Sequence, residues 1–351
     1  MVASRRGPET LVASSALVLR FGERGRPNVI LPWVNDRTGM ATLFGVIDEI
    51  KHPALHSLIL RQLRLTPRHE KFLSRRFQNA AFDDLSLCDE LAQRITTIAG
   101  DQIDVFCNDY DFICNIVQEE EYHFRRYDEY RLKSFQDAIA QVYANKPYMD
   151  SYMNGLLMTQ MYWSNHTACF RFYRDRYLPS LPDRYEFVEV GPGHGLLLYQ
   201  AASDPRARSV SGWDLSEASI AQTQSALARM GNAHRANLTI QDLFDAKAHE
   251  ERFDGIGFSE VLEHLEEPDR ALRHLRSVLK IGGQLFVNVP INSPAPDHLY
   301  LLRSPEEAME AVAKAGFVIE ETGFYPATNY TLEQARKLTL TISVCLIARR
   351  T

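Results

Sequence analysis

The stretch Phe187–Gly195 reads FVEVGPGHG, and its reading decides the fold. An apolar run carrying an acid, Phe187 to Val190, leads straight into glycines at 191, 193 and 195, and the apolar segment LLLYQAA follows. That order predicts a strand, a tight turn and a helix. Glycines at such a turn open backbone conformations closed to other residues, and without a Cβ they let a ligand lie against the main chain. Glu189, Gly191, Gly193 and Gly195 therefore form a candidate cofactor cradle.

Downstream of the turn the pattern alternates regularly. RSVSGWDLS predicts a strand ending at Asp214, EASIAQTQSALARMG a helix closed by Gly231, and ANLTIQDLFD a third strand with Asp242 just past it. RFDGIGFSEVLEHL predicts a fourth strand and a polar cluster, and DRALRHLRSVLKIGG a helix with a Gly-Gly stop. GQLFVNVP is a fifth strand, SPEEAMEAVAKAG a Ser-capped helix, FVIEETGFY a sixth strand and LTISVCLIARR a seventh. Strands alternating with helices predict an α/β, Rossmann-like fold: a parallel, doubly wound sheet of seven strands whose ligands bind at the strands' carboxyl ends.

Upstream the signal changes. From about residue 39 to 144 the apolar residues recur at helical spacing, as in Leu58, Leu60, Leu63 and Leu65, and in Leu87, Leu91, Ile95 and Ile98. Residues 1–146 are read as a mostly helical N-terminal domain, with a short hairpin in LVASSALVLRFGERGRPNVILPWVN near its start. Residues 147–182 are crowded with aromatics, including Tyr148, Tyr152, Tyr162, Trp163, Phe170, Phe172 and Tyr173, together with His166. Such a stripe packs a helix into a core, covers a ligand as a lid, or does both, because a lid also needs an apolar underside. Tyr152, Tyr162, Trp163 and His166 are the candidate substrate contacts. Residues 183–351 are the cofactor-binding domain.

Bulk properties narrow the partners. The 351 residues are 45% hydrophobic and 24% charged, as in an ordinary soluble globular protein. A formal net charge of -6 gives no electrostatic reason to expect nucleic acid. The five cysteines are scattered and form no CxxC pair, which argues against a disulfide framework or a cysteine zinc site. The longest apolar piece near the start is ALVL, too short for a membrane span, so the expectation is a cytoplasmic protein with no membrane partner. A basic stretch from Arg61 to Arg76 and an acidic one from Asp101 to Glu121 read as solvated helix faces that partly neutralise each other. Glu120 and His123 have the Glu-x-x-His spacing of di-iron bundles, but that site needs a second copy, and the sequence has none.

A three-glycine turn after a strand also serves NAD enzymes. Here the spacing is GxGxG rather than GxGxxG, an acid precedes the glycines, and a further acid, Asp242, follows the third strand. A carboxylate at Asp214 accepts hydrogen bonds from a ribose diol in either case, but the additional acid suits an adenine amino group or a cationic ligand better than a pyrophosphate.

The constellation resembles the class I S-adenosylmethionine-dependent methyltransferases over roughly Asp183 to Arg349. The resemblance implies that Glu189 and the glycine backbones hold the methionine part, Asp214 and Leu215 the ribose side, and Asp242 with Leu243 the adenine, with Ser259 at the end of the fourth strand beside the cofactor. In SEVLEHL, Glu260, Glu263 and His264 stand at i, i+3 and i+4 and would share one helical face. This block is similar to one in the ubiquinone-biosynthesis O-methyltransferases, where the acids and histidine are associated with a divalent metal. Three roles stay open for it: bracing the loop, a base, or metal ligands Glu260, Glu263 and His264. Asp297 and His298 form a second cluster in the loop after strand five, where an imidazole can take a proton near neutrality. His298, His264 and Glu260 are thus the catalytic candidates.

The resemblance implies methyl transfer from S-adenosylmethionine to an O, N or activated C atom of a small molecule of specialised or quinone-type metabolism. Rival readings are a macromolecular substrate, protein or RNA, and a cofactor-binding partner protein without transfer activity. The helical N-terminal domain lies outside the resemblance. Additions of that kind build a substrate pocket, a homodimer interface, or both.

Overall fold

The computed structural model describes residues 20–21, 27–28, 43, 45–244 and 251–351. In the N-terminal unit, strands β1 (Arg20–Phe21) and β2 (Pro27–Asn28) pair antiparallel with Arg20 opposite Asn28, in line with the expected hairpin. The remainder of that apolar stretch lies outside the described residues. Residues 35–351 cluster as one compact unit.

Helices open this unit, as the periodicity predicts: α1 (Pro53–Leu65), α2 (Glu70–Phe77), α3 (Phe82–Ala99) and α4 (Ile103–Tyr127). Leu58, Leu63, Leu87, Leu91 and Ile95 are buried in one core, whereas Leu60 and Leu65 turn outward. The basic and acidic stretches do meet: Arg61 pairs with Asp104 at 2.8 Å, and Arg68 with Asp111. Glu120 is taken by Arg131 at 2.9 Å.

A short helix, α5 (Phe135–Ala138), runs into a π-helical turn at Ile139–Tyr143, followed by α6 (Lys146–Tyr162) and α7 (Ser164–Phe172). Asn145 caps α6 by accepting from the Tyr148 amide. Gly155 lets α6 press against α4: a Cβ there would lie 2.5 Å from the Asp109 carbonyl oxygen. That close approach fixes the height at which Tyr152, one turn earlier, leaves the helix.

The sheet has seven strands, β3 (Glu186–Val190), β4 (Ser209–Asp214), β5 (Ala236–Ile240), β6 (Phe253–Ser259), β7 (Leu279–Ile291), β8 (Phe317–Pro326) and β9 (Ile342–Arg350). Their spatial order is β5-β4-β3-β6-β7-β9-β8. Helices α8 (Leu196–Ser203) and α9 (Glu217–Arg229) follow β3 and β4, α10 (Pro268–Val278) and α11 (Pro305–Lys314) flank β7, and α12 (Leu332–Leu338) precedes β9. One face of the sheet packs on α10 and α11, the other on α8 and the aromatic segment around Tyr173 and Tyr177. This is the doubly wound α/β architecture.

Two expectations need correction. The sheet is mixed, because β9 pairs antiparallel with both β7 and β8. The chain returns from β8 through α12 alone and enters between two parallel strands from the opposite end. The Gly-Gly pair does not stop α10, which ends at Val278. The chain turns directly into β7, and Gly282 and Gly283 lie within that strand, where its register with β6 shifts between Phe253 and Gly255.

Candidate functional site

The carboxyl ends of β3, β4, β6 and β7 and the helices before the sheet build the site. At its base, the glycine turn adopts the backbone that its sequence requires: φ is 68° at Gly191, 50° at Gly193 and 77° at Gly195. The Gly191 amide donates to the Trp213 carbonyl at 2.8 Å, tying the turn to β4. Glu189 is 3% exposed, and its Oε2 has no hydrogen-bond partner among the described residues. Burial raises its pKa well above the ordinary carboxylate value. A buried acid with an idle oxygen beside an open glycine turn fits the ammonium and main-chain-hugging part of an amino-acid-like ligand.

Asp214 closes β4. Its two oxygens accept from the Ser216 amide at 2.8 Å and the Ser219 hydroxyl at 2.6 Å, which fixes the carboxylate while leaving lone pairs for a diol. Leu215 beside it is 57% exposed, an apolar side chain left open where a ligand's flat face could cover it. Asp242 accepts from the Phe244 amide at 2.8 Å, and Leu243 is buried against the sheet. Ser259, at the end of β6, accepts from the Asn288 amide at 3.0 Å.

Beyond β6 the polar cluster departs from the expected helical face. Glu260 has φ of 54°, and only Leu262–His264 form a 3-10 turn, so the three residues do not share one side of a helix. Glu260 instead accepts from Asn288 at 2.9 Å, and burial lifts its pKa to about 7. Glu263 is fully buried, and neither carboxylate oxygen has a hydrogen-bond partner among the described residues. Burial first and the neighbouring Glu260 charge second push its pKa up.

The groups that converge are Glu263, His264 and His298, whose ligand-type atoms all lie within 4.8 Å of one another. Glu263 Oε1 is 3.8 Å from His264 Nε2 and 3.9 Å from His298 Nε2, and the two imidazoles stand edge to face at 4.9 Å. The hydrogen-bond network assigns the tautomers. His298 Nδ1 donates to the Ser293 carbonyl at 2.7 Å, and His264 Nδ1 faces the Asp297 carbonyl at 3.1 Å and carboxylate at 3.5 Å. Both Nε2 lone pairs are thereby left facing Glu263. Burial, then the charge of His264, depresses the His298 pKa to about 4, so this ring is neutral.

Asp297 was legible in the sequence only as the neighbour of His298; its partners were not. It is 4% exposed, and accepts from the hydroxyls of Tyr152 at 3.0 Å and Tyr143 at 3.1 Å. Burial works to raise its pKa, but His264, His298 and the two phenols outweigh that and hold it below the ordinary value. Tyr143 also lies 3.4 Å from His264 Nδ1, and Tyr130 packs edge-on against His298 at 5.7 Å. Neither Tyr130 nor Tyr143 carries a sequence signal beyond an aromatic in a helical context.

The other lid candidates divide. Tyr162 is fully buried in the helical core against Tyr110 at 4.7 Å, and the Trp163 indole donates to the Tyr110 hydroxyl at 3.3 Å. His166 contacts the Thr159 hydroxyl at 2.8 Å and Trp163 at 5.0 Å. Met153, one residue beyond Tyr152, touches the turn itself, its Cε lying 3.4 Å from where a Gly193 Cβ would stand.

Residues 188–285 match a family profile described as a methyltransferase domain. Among curated proteins, the chain is 30% identical over 133 residues to the ubiquinone biosynthesis O-methyltransferase of Pseudomonas syringae pv. tomato, covering 38% of this chain and 51% of that protein. It is 31% identical over 134 residues to the enzyme of the same name from Brucella ovis, covering 37% and 50%. The match thus spans about half the length of these relatives. Among solved structures, the [4+2]-cyclase SpnF superposes with a TM-score of 0.44 at 21% identity, over 53% of this chain and 81% of that one.

Proposed function

We infer that this chain, which carries a class I S-adenosylmethionine-dependent methyltransferase domain, methylates a hydroxyl oxygen of a small-molecule acceptor. The observation that carries the reading is the enclosed acid–imidazole cluster of Glu263, His264, Asp297 and His298, past the carboxyl ends of β6 and β7, in the same sheet as β3, whose carboxyl end presents the glycine turn. Its polarity suits an acceptor that must lose a proton, as a hydroxyl does.

S-Adenosylmethionine, when bound, supplies an electrophilic methyl group. The chain's own residues do the rest. Glu189 and the glycine turn hold the amino-acid end, Asp214 the ribose diol, and Asp242 with Leu215 and Leu243 the adenine. Asp297, anchored by Tyr143 and Tyr152, keeps the proton of His264 on Nδ1, which frees Nε2 to receive the acceptor's proton. The aromatic helices exclude water and orient the acceptor, which is where an enzyme of this chemistry gains most.

Alternatively, Glu263, His264 and His298 would hold a divalent cation, with His264 Nε2 as a ligand in place of its role as base. The idle Glu263 oxygens and the two inward lone pairs fit one, and a two-imidazole, one-carboxylate set suits zinc or manganese better than magnesium. Such an ion would lower the pKa of an acceptor hydroxyl.

The test is calorimetric titration with S-adenosylmethionine, followed by turnover against a panel of phenols and catechols read as release of the demethylated cofactor. Asp214→Ala should abolish cofactor binding. Unchanged binding in that variant overturns the cofactor assignment, and binding without turnover on any hydroxylated acceptor overturns the reaction.

A further inference from the structure

Apart from the cluster above, a cavity of about 400 Å³ is lined by Arg75, Arg76 and Arg171 together with Asp84, Ser164 and Asn329. Three guanidinium groups face one carboxylate there. Asp84 is already spent: its Oδ2 accepts from Arg76 at 2.8 Å and its Oδ1 from Arg171 at 3.1 Å. Arg75 has no ion pair or hydrogen bond among the described residues. The Arg76 side chain is only 4% exposed. Its Nε–H, shielded from solvent, has no acceptor among the described residues, and its second amino group meets the Cys88 sulfur and the Thr167 hydroxyl, both at 3.5 Å.

Arg75 is exposed and Arg171 partly so, which leaves two guanidinium groups open to an anion entering the cavity. The lining sets three guanidinium groups against one carboxylate, an excess of two positive charges. Carboxylates of small metabolites supply one charge each. A phosphate monoester supplies nearly two at neutral pH, with three acceptor oxygens matched to guanidinium forks.

We propose that this cavity binds the phosphate group of a small ligand, either free phosphate or a phosphate monoester, at a site separate from the methyl-transfer centre. The arginines come from α2 and α7, and Ser164 follows directly on Trp163, where α6 breaks. A bound phosphate would therefore tie the helical region to the lid helices. S-Adenosylmethionine carries no phosphate, so occupancy here is independent of the cofactor site.

The experiment is calorimetric titration of the full chain with inorganic phosphate and with ethyl phosphate, at constant ionic strength, with and without saturating demethylated cofactor. Acetate and polyglutamate serve as comparison ligands. Arg75→Gln and Arg171→Gln remove one fork each, and their far-ultraviolet circular dichroism and melting temperatures report whether they fold. The expected result is saturable 1:1 binding of one or both phosphates, unaffected by the cofactor product and weakened at least tenfold in either folded variant. Inorganic phosphate binding tighter identifies the free anion as the ligand, and ethyl phosphate binding equally or tighter identifies a monoester. Absence of saturable phosphate binding, unchanged affinity in the variants, acetate matching phosphate, or binding confined to polyglutamate overturns the proposal.

Discussion

Tyr152 donates its hydroxyl proton to Asp297 Oδ1 across 3.0 Å, joining residues 145 positions apart. With Tyr143 on the other oxygen, at 3.1 Å, the helices before the sheet hold a carboxylate that itself belongs to the loop after β7. The phenols remain protonated, since burial and then the Asp297 charge push the Tyr152 pKa well up. Tyr152→Phe leaves a buried acceptor oxygen unpaired, at a cost of about 1–3 kcal/mol. A lower melting temperature and a fall in kcat of about 10- to 100-fold are expected, with cofactor affinity unchanged. Full turnover in a folded Tyr152→Phe protein would remove Asp297 from the mechanism.

The cation reading is tested by removal. Two imidazole nitrogens and Oε1 of Glu263 converge, whereas Glu260 is turned to Asn288. Chelation should lower turnover, zinc or manganese should restore it, and His298→Ala, which removes a direct ligand, should cost more in metal affinity than the roughly ten- to a hundredfold typical of losing an outer-shell partner, while Glu260→Gln should change it little. Metal content by mass spectrometry and calorimetric titration with zinc measure this directly. A chelated protein that turns over at the untreated rate would show that the cluster works without an ion.

How much of this was legible in the sequence follows from which signals are local. The glycine turn, the acids at 214 and 242 and every strand of the sheet are written in short windows, because period, caps and glycines act on near neighbours. The direction of β9 is set by which end of the sheet the chain re-enters, and no window of LTISVCLIARR carries it. The same limit governs the site. His264 and His298 are visible as residues, but their convergence on Glu263 depends on a turn at Glu260 with positive φ. Tyr162 and Tyr152 look alike in an aromatic stripe, yet one fills the helical core and the other reaches Asp297. Ten residues apart on α6, they leave the helix on different sides, which an aromatic count along the sequence does not record.

Glu189 sets stability against binding. Burial raises its folded pKa, so the stability it contributes is present below the ordinary carboxylate value and lost as pH rises through the folded one. Ionising the carboxyl in that burial carries a cost, which a cationic ligand group relieves. Glu189→Gln keeps the shape and removes the charge. The variant should melt at a higher temperature than the wild type at neutral pH, and bind S-adenosylmethionine at least tenfold more weakly. A variant that loses stability while binding normally would place Glu189 in the scaffold alone.

Acid should act through the paired histidines of lid and turn. Burial depresses the pKa of His194 to about 4, and burial followed by the nearby His194 does the same for His166. The unfolded chain takes up protons on these groups below about 6.5, and the folded chain only near 4. Between those values the unfolded state binds more protons, so stability falls as pH drops through the window, by at most about 1.4 kcal/mol per pH unit for each group. Urea melts of wild type and His166→Gln between pH 4 and 7 should converge toward the acid end, the variant's slope being the shallower. Parallel slopes would mean that His166 is already charged in the folded protein.

The turn that decides the fold also separates two kinds of glycine requirement. At Gly191, φ is 68°, and an added Cβ would meet Val261 Cγ2 at 2.7 Å, a branched side chain held between β6 and the Glu263 turn. At Gly193, φ is 50°, but the first atom met is the flexible end of Met153, at 3.4 Å. Alanine costs about 1–2 kcal/mol in either left-handed position. Only at 191 does a clash with a stiff neighbour add to it, and Val261 can yield only by shifting the loop that carries Glu263. Gly191→Ala should therefore destabilise the protein more than Gly193→Ala in urea unfolding and should also lower turnover through the displaced cluster. Gly193→Ala should lose cofactor affinity with a smaller change in stability, because in the proposed cofactor cradle its Cβ would stand where a ligand would lie against the main chain. Equal losses of stability in the two variants would show that backbone strain alone, and not the packing of Val261, requires glycine at 191.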